Sequence, residues 1–199
     1  QQRVASLGIV NSREHIDSLF EAKEQGVASI TFDNIGERAG YSRGLASQKF
    51  GSKNGLLEAA ISQLHDEMAE IREEAHLEDR PGLESLLLYC DVHLTTQEEF
   101  PQMRAYFILY SAAVAELSDM RPLFVKANER TRNDLVSIIE RGKKDGSIRT
   151  DINAKKVAAL IGNMLGGLAN NAIIDPAFRI DRMGPEVRQM IISSYAANP

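Results

Sequence analysis

The sequence predicts an all-α protein of about nine helices: a small three-helix head followed by a larger helical body. Three observations carry that expectation. Apolar residues recur at spacings of three and four along most of the chain, the period of a helix buried on one face. No stretch alternates β-branched with polar residues, as a half-buried strand does. Gly26, Gly40, Pro81, Pro101, Pro122, Gly146, Pro176 and Pro185 punctuate the periodic runs, where helices begin and end. With 199 residues, 43% of them hydrophobic, the chain can bury a sizeable core.

In chain order, Ser12 can cap a first helix that places Ile16, Leu19 and Phe20 on one face and closes at Gly26. Phe32, Ile35 and Ala39 supply the apolar positions of a second. Gly40 can take the positive φ that ends it, and Ser42 can cap a third carrying Leu45, Ala46 and Phe50. Two short helices joined this tightly make a helix-turn-helix. A long helix then spans about Lys53 to His76, with Leu57, Ile61, Leu64, Met68, Ile71 and Ala75 as its stripe. After Arg80-Pro81-Gly82 comes a helix with Leu83, Leu86, Leu87, Cys90 and Leu94. Pro101 opens one with Met103, Phe107, Tyr110 and Val114, and Pro122 opens a longer one with Phe124, Ala127, Leu135, Ile138 and Ile139. Asn153 can cap an uncharged helix closed by Asp175-Pro176, and Gly184-Pro185 starts the last, with Val187, Ile191 and Tyr195. The expected division is 1–55 for the head and 56–199 for the body.

Charge separates the two parts. Residues 1–60 hold seven Lys and Arg against seven Asp and Glu, so the net charge of −5 falls on residues 61–199. From Arg38 to Lys53 there are four cations and no carboxylate. An acidic chain that clears carboxylates from one such window presents a cationic patch suited to phosphates. A helix-turn-helix lays its second helix in a DNA major groove, so double-stranded DNA is the expected partner.

A single cysteine rules out an intrachain disulfide and suits the cytoplasm. Gln1–Val10 has no long apolar run of the secretory kind. Val157–Ile174 is uncharged over eighteen residues and meets the lower length of a membrane span. Its three glycines and three asparagines point instead to a helix packed among other helices.

The residues Gly26, Thr31, Ile35-Gly36, Ala39-Gly40-Tyr41-Ser42, Gly44, Phe50, Ser52-Lys53 and Leu56 resemble the motif of the TetR family of bacterial one-component transcriptional repressors. Ser47 stands where the family usually has a phosphate-contacting aromatic, and Gln48 and Lys49 where it often has His and Tyr. The loop ending GSIRTD looks like the family's connection between seventh and eighth helices.

By chemistry, Arg43 and Gln48 have donors for base edges, and Leu45 suits a thymine methyl. Thr31, Ser47, Lys49 and Lys53 suit phosphates, Lys53 beside a helix N-terminus. Gly44 permits close backbone approach, and Tyr41 and Ser42 complete the DNA-binding set.

A helix-turn-helix normally needs a second copy one helical turn along the duplex, so a homodimer is expected. Gly162, Gly166 and Gly167, lying on nearly one face, and Val187 and Ile191 are the expected interface. The resemblance implies the same, since the family's last two helices form a four-helix dimer bundle. Leu64, Met68, Tyr89, Cys90, His93, Met103, Phe107 and Tyr110 are the expected lining for a small, largely apolar effector. The resemblance further implies that the effector releases the repressor from its operator.

Two other classes compete. Glu73-x-x-His76 is half of a di-iron carboxylate motif, which needs a second copy on another helix, and no other His has a Glu at that spacing. Cys90 and His93 share a helix face without a third orienting group. No phosphate-loop or dinucleotide fingerprint occurs. The expectation is therefore no enzyme, no cofactor and no metal. The remaining alternative is a helical protein-interaction module that has lost DNA binding.

Overall fold

The computed structural model describes residues 48, 50–99, 101–115 and 119–198; side chains at 53, 56, 96–99, 101, 102, 104 and 105 are left out of the description. Six α-helices occur among the described residues: α1 Lys53–Glu74, α2 Gly82–Glu99, α3 Pro101–Ala115, α4 Arg121–Asp145, α5 Ala154–Ile174 and α6 Gly184–Tyr195. Two 3-10 turns, Leu77–Asp79 and Ile180–Met183, were not foreseen. The helices expected around Ser12–Gly26 and Phe32–Ala39 lie outside the described residues. So does most of the one following Ser42, so the expected count of nine extends beyond the described residues.

The chain divides into two compact units. One comprises Gln1–Leu64 and Pro101–Leu123, the other His65–Phe100 and Phe124–Pro199. The boundary expected at residue 55 falls inside α1, which is continuous.

In the first unit, Gly51 has φ +69°, and the Ser52 hydroxyl accepts from the Gly55 N–H at 3.0 Å, capping α1 at its third residue. Leu57, Ala60, Ile61 and Leu64 are buried along the expected stripe. In α3, Met103, Tyr106, Phe107, Leu109 and Ala113 are buried. Tyr106 meets Phe107 edge-on at 5.2 Å and stacks with Tyr110 at 6.5 Å. Val114, expected on the apolar face, is 59% exposed instead.

In the second unit α2 is the central helix, packed against α5, α6 and both 3-10 turns. Leu86, Cys90 and Leu94 are fully enclosed along it. Its N-terminal amides are satisfied from the end of α4. Asp145 Oδ2 accepts from the Gly82 N–H at 2.7 Å, and Ser147 Oγ from the Leu83 N–H at 3.0 Å. α4 stops where Gly146 takes φ +79°, a conformation glycine adopts without strain. The loop that follows is pinned by an isolated antiparallel bridge between Ile148 and Ala196, and Ile148 is fully buried. Asn153 caps α5 as expected, its side chain accepting from the Lys156 N–H at 3.1 Å. α6 carries Pro185 in its first turn, where the missing N–H costs nothing.

Candidate nucleic-acid interface and the seam along α1

Of the expected DNA-binding residues, Thr31, Tyr41, Ser42, Arg43, Gly44, Leu45, Ser47 and Lys49 lie outside the described residues. Gln48 is helical and exposed, and Lys53 is the first residue of α1. The junction between them is tightly built. Ser52 donates its N–H to the Phe50 carbonyl at 2.7 Å, and a Cβ at Gly55 would lie 2.1 Å from that same oxygen. Glycine at 55 is thus required by close backbone approach, and the sequence motif, which passes from Ser52-Lys53 to Leu56, did not single it out.

The expected effector residues are divided between the units. Leu64, Met103, Phe107 and Tyr110 belong to the first, and Met68, Tyr89, Cys90 and His93 to the second. All except His93 and Tyr110 are core residues by burial. Burial pushes the Tyr89 hydroxyl and the Cys90 thiol up to about 12, so Cys90 stays protonated and is a poor nucleophile. His93 is pushed down to about 4 by burial and then by Arg72, while a hydrogen bond with the Leu165 backbone works the other way.

Within the second unit, a groove of about 650 Å³ runs between α1 and α4 and contains none of those eight residues. Ala69, Arg72, Glu73 and His76 line one side, Asp134, Ser137, Ile138 and Arg141 the other, and the Leu77–Asp79 turn closes the end. Each set has the helical spacing of three and four. His76 holds the left-handed conformation at φ +53° and faces Asp79 at 3.5 Å. Glu73 and His76 thus belong to this groove, and no group of three or more metal-ligating side chains occurs among the described residues. Arg141 Nη2 donates to the Leu77 carbonyl and to Ser85 Oγ, both at 2.7 Å. Ser85, fully buried, donates in turn to the Leu77 carbonyl at 2.5 Å.

Two ion pairs cross the same seam. Arg130 of α4 meets Asp66 of α1 at 2.7 Å, and Arg72 of α1 meets Asp134 of α4 at 3.1 Å. Arg72 Cζ also lies 5.4 Å from the centroid of the Tyr89 ring on α2, within reach of a cation–π interaction. Burial pushes the Asp134 carboxyl up, against the charges of Arg72 and Arg130. The ring of His65 is pushed down to about 4 by burial and by Arg130 and Arg72. None of these charged partners was singled out in the sequence. A charged side chain at helical spacing reads as a solvated face until its opposite number on another helix is known.

The expected interface residues also separate. Val187 and Ile191 are 4% and 0% exposed within the single chain, so they are spent on its own core and have no surface for a second copy. α5 and α6 expose some apolar side chains elsewhere. Leu160 is 63% exposed and Ile174 80% on α5, and Met190 and Ile192 are exposed on α6. A Cβ at Gly167 would meet nothing within 4 Å, and one at Gly162 only Leu135 at 3.7 Å. Gly166 is partly buried. α5 is long and apolar enough to cross a membrane by length and composition, a test that helices of helical cores also pass.

The described helices belong to the architecture of TetR-type transcription regulators. The chain aligns with the fatty acid degradation regulator FadR of Bacillus halodurans at TM-score 0.77 and 15% identity, covering 92% of this chain and 98% of that one. A TetR transcription regulator of Haloarcula marismortui aligns at TM-score 0.76 and 19% identity, covering 94% and 98%. FadR of Bacillus subtilis, solved in complex with stearoyl-CoA, aligns at TM-score 0.73 and 17% identity, covering 91% and 97%. No curated protein sequence matches the chain. Residues 20–60 match the family described as bacterial regulatory proteins, tetR family. The chain thus carries a segment that matches this family over residues 20–60 and shares the fold of TetR-type transcription regulators along most of its length.

Proposed function

We propose that this regulator is a cytoplasmic repressor that binds an operator as a homodimer and leaves it when a small, largely apolar ligand occupies the body. The observation that carries the reading is the coincidence of two features in one segment. Residues 20–60 match the family, and the same segment contains the window from Arg38 to Lys53 with four cations and no carboxylate. A patch of that kind neutralises phosphates, while Arg43 and Gln48 supply base-edge donors. The head is residues 1–55 and the ligand-binding, dimerising body residues 56–199. The exposed apolar surface of α5 and α6 supports the dimer, with Gly162, Gly166 and Gly167 allowing close approach. Ligand release is supported by related folds, one of them solved with stearoyl-CoA and another from Saccharomonospora viridis with choline.

Selection of bound sequences from random duplexes tests the reading, followed by a compound screen for release of the winner. Arg43→Ala is expected to weaken the selected operator by about 1–3 kcal/mol and to leave non-specific binding nearly unchanged. Equal loss on both would reduce Arg43 to a phosphate contact. Failure of the parent chain to enrich any duplex would favour the protein-interaction module.

A further inference from the structure

Asn54-Gly55 is the one Asn-Gly pair in the chain. Glycine after asparagine leaves the asparagine side chain open to attack by the next backbone nitrogen, because no Cβ crowds the ring that forms. The pair lies in the first turn of α1, with Lys53 the first helical residue, Asn54 the second and Gly55 the third. Packing keeps the glycine in place, since a Cβ at 55 would strike the Phe50 carbonyl oxygen.

We propose that Asn54 is a site of spontaneous deamidation, and that the Ser52 hydroxyl is the latch that holds the reaction back. Water is the only co-reactant, and nothing is oxidised or reduced. The Gly55 nitrogen gives its proton to solvent and bonds to the side-chain carbonyl carbon of Asn54. The carboxamide C–N bond breaks, and its nitrogen takes a proton from solvent and leaves as ammonia. Water then opens the five-membered imide at one of its two carbonyls, which leaves aspartate or its β-linked isomer.

The folded turn withholds the attacking nitrogen in two ways. Its N–H donates to Ser52 Oγ at 3.0 Å. Helical backbone, with ψ near −42°, also keeps that nitrogen away from the side-chain carbon, so the ring closes only when the first turn opens. N–H groups in a first turn have no partner within their own helix, and helix ends open locally at little cost. Ser52 therefore supplies a bond that the helix itself does not. Gly51 at φ +69° turns the chain, and the Ser52 N–H on the Phe50 carbonyl at 2.7 Å seats the hydroxyl. Asp145-Gly146, the one Asp-Gly pair, is held differently. Its two carboxylate oxygens accept N–H bonds from Gly82 at 2.7 Å and Ser147 at 2.9 Å, and an ionised carboxylate offers no leaving group. At Asn54 the product carries a carboxylate immediately after the window from Arg38 to Lys53, which has none.

The test incubates the full chain at mildly alkaline pH and reads each asparagine by peptide mass mapping. Asn54 is expected to gain the mass of an amide-to-acid exchange ahead of the other asparagines. Ser52→Ala is expected to quicken that gain about fivefold, the change in open population that loss of one helix cap gives. Ser52→Thr keeps a hydroxyl cap and is expected to stay near the parent, and Asn54→Gln to abolish the signal. A parental rate in Ser52→Ala would overturn the latch. So would acceleration shared equally by the other asparagines, which reports general loosening. A parent chain with no gain at Asn54, when the urea-unfolded chain gains it, would overturn the site. One further arm rests on the DNA-binding reading above: Asn54→Asp, standing in for the product, is expected to weaken all duplexes alike and lower the salt slope by about one. An unchanged slope would overturn the charge effect. A parent chain that binds no duplex would defeat the DNA-binding reading, while the mass measurements still decide the site.

Discussion

At Gly82 the absence of a side chain lets two helices meet backbone to backbone. A Cβ there would lie 2.2 Å from the Cα and N of Gly142 on α4, and 2.9 Å from the Ile138 carbonyl. Gly142 is equally confined, since its own Cβ would meet Ile148 Cδ1 at 2.6 Å. The contact also seats the N-terminus of α2 within reach of Asp145 and Ser147. Burial of the Asp145 carboxyl is outweighed by hydrogen bonds from Ser147 and Gly82, which hold it below the usual carboxylate range. Gly82→Ala, the smallest possible intrusion, is expected to destabilise the fold by about 1–3 kcal/mol. A urea titration showing an unchanged midpoint would refute the close approach. Sequence reasoning placed Gly82 correctly as part of a break after Arg80-Pro81. Nothing in its neighbours along the chain announced that Gly142, sixty residues on, needs the same space.

Among the elements, α5 is the one whose sequence and surroundings fit least comfortably for a single chain. It has no charge between Val157 and Ile174, and yet Leu160 and Ile174 stand open. Open apolar side chains mark an interaction site where they join into one continuous patch. Gly167 offers the cleanest probe, because a Cβ there would meet nothing within 4 Å. Gly167→Leu is expected to leave the far-ultraviolet circular dichroism unchanged while converting a dimer to monomer, read by sedimentation equilibrium. A variant that sediments like its parent would place the interface elsewhere. The ends of the elements were largely legible, because caps and breakers act locally: Asn153 on α5, Gly146 after α4, Pro185 in α6. The two 3-10 turns were not. Leu77 and Ile180 are buried in them, and a short turn with one buried residue has no periodicity to read.

For the molecule as a whole, His65 and His93 contribute to the response to acid. His65 and His93 both stand at about 4, with burial the largest cause, against an ordinary value near 6.5. Between those values the unfolded chain binds more protons than the folded one, so stability rises with pH across that window. It is fully present above about pH 6.5 and declines as pH falls toward 4. At pH 5.5 each ring is expected to remove about 1 kcal/mol relative to pH 7.5. Chemical denaturation at the two pH values checks this, and the double variant with Gln at both positions should flatten the difference. A parent chain equally stable at both would show that the rings are not enclosed.

The helical class, the order of the described helices, the cap at Asn153 and the cationic window from Arg38 to Lys53 follow from the sequence by itself. Each is a local property, fixed by residues a few positions apart. Tertiary structure alone decided that Val187 and Ile191 belong to the chain's own core, that Gly82 faces Gly142, and that Arg72 meets Asp134 and Tyr89. Those outcomes depend on which helix faces which and at what rotation, and a helical period specifies a face without specifying its neighbour.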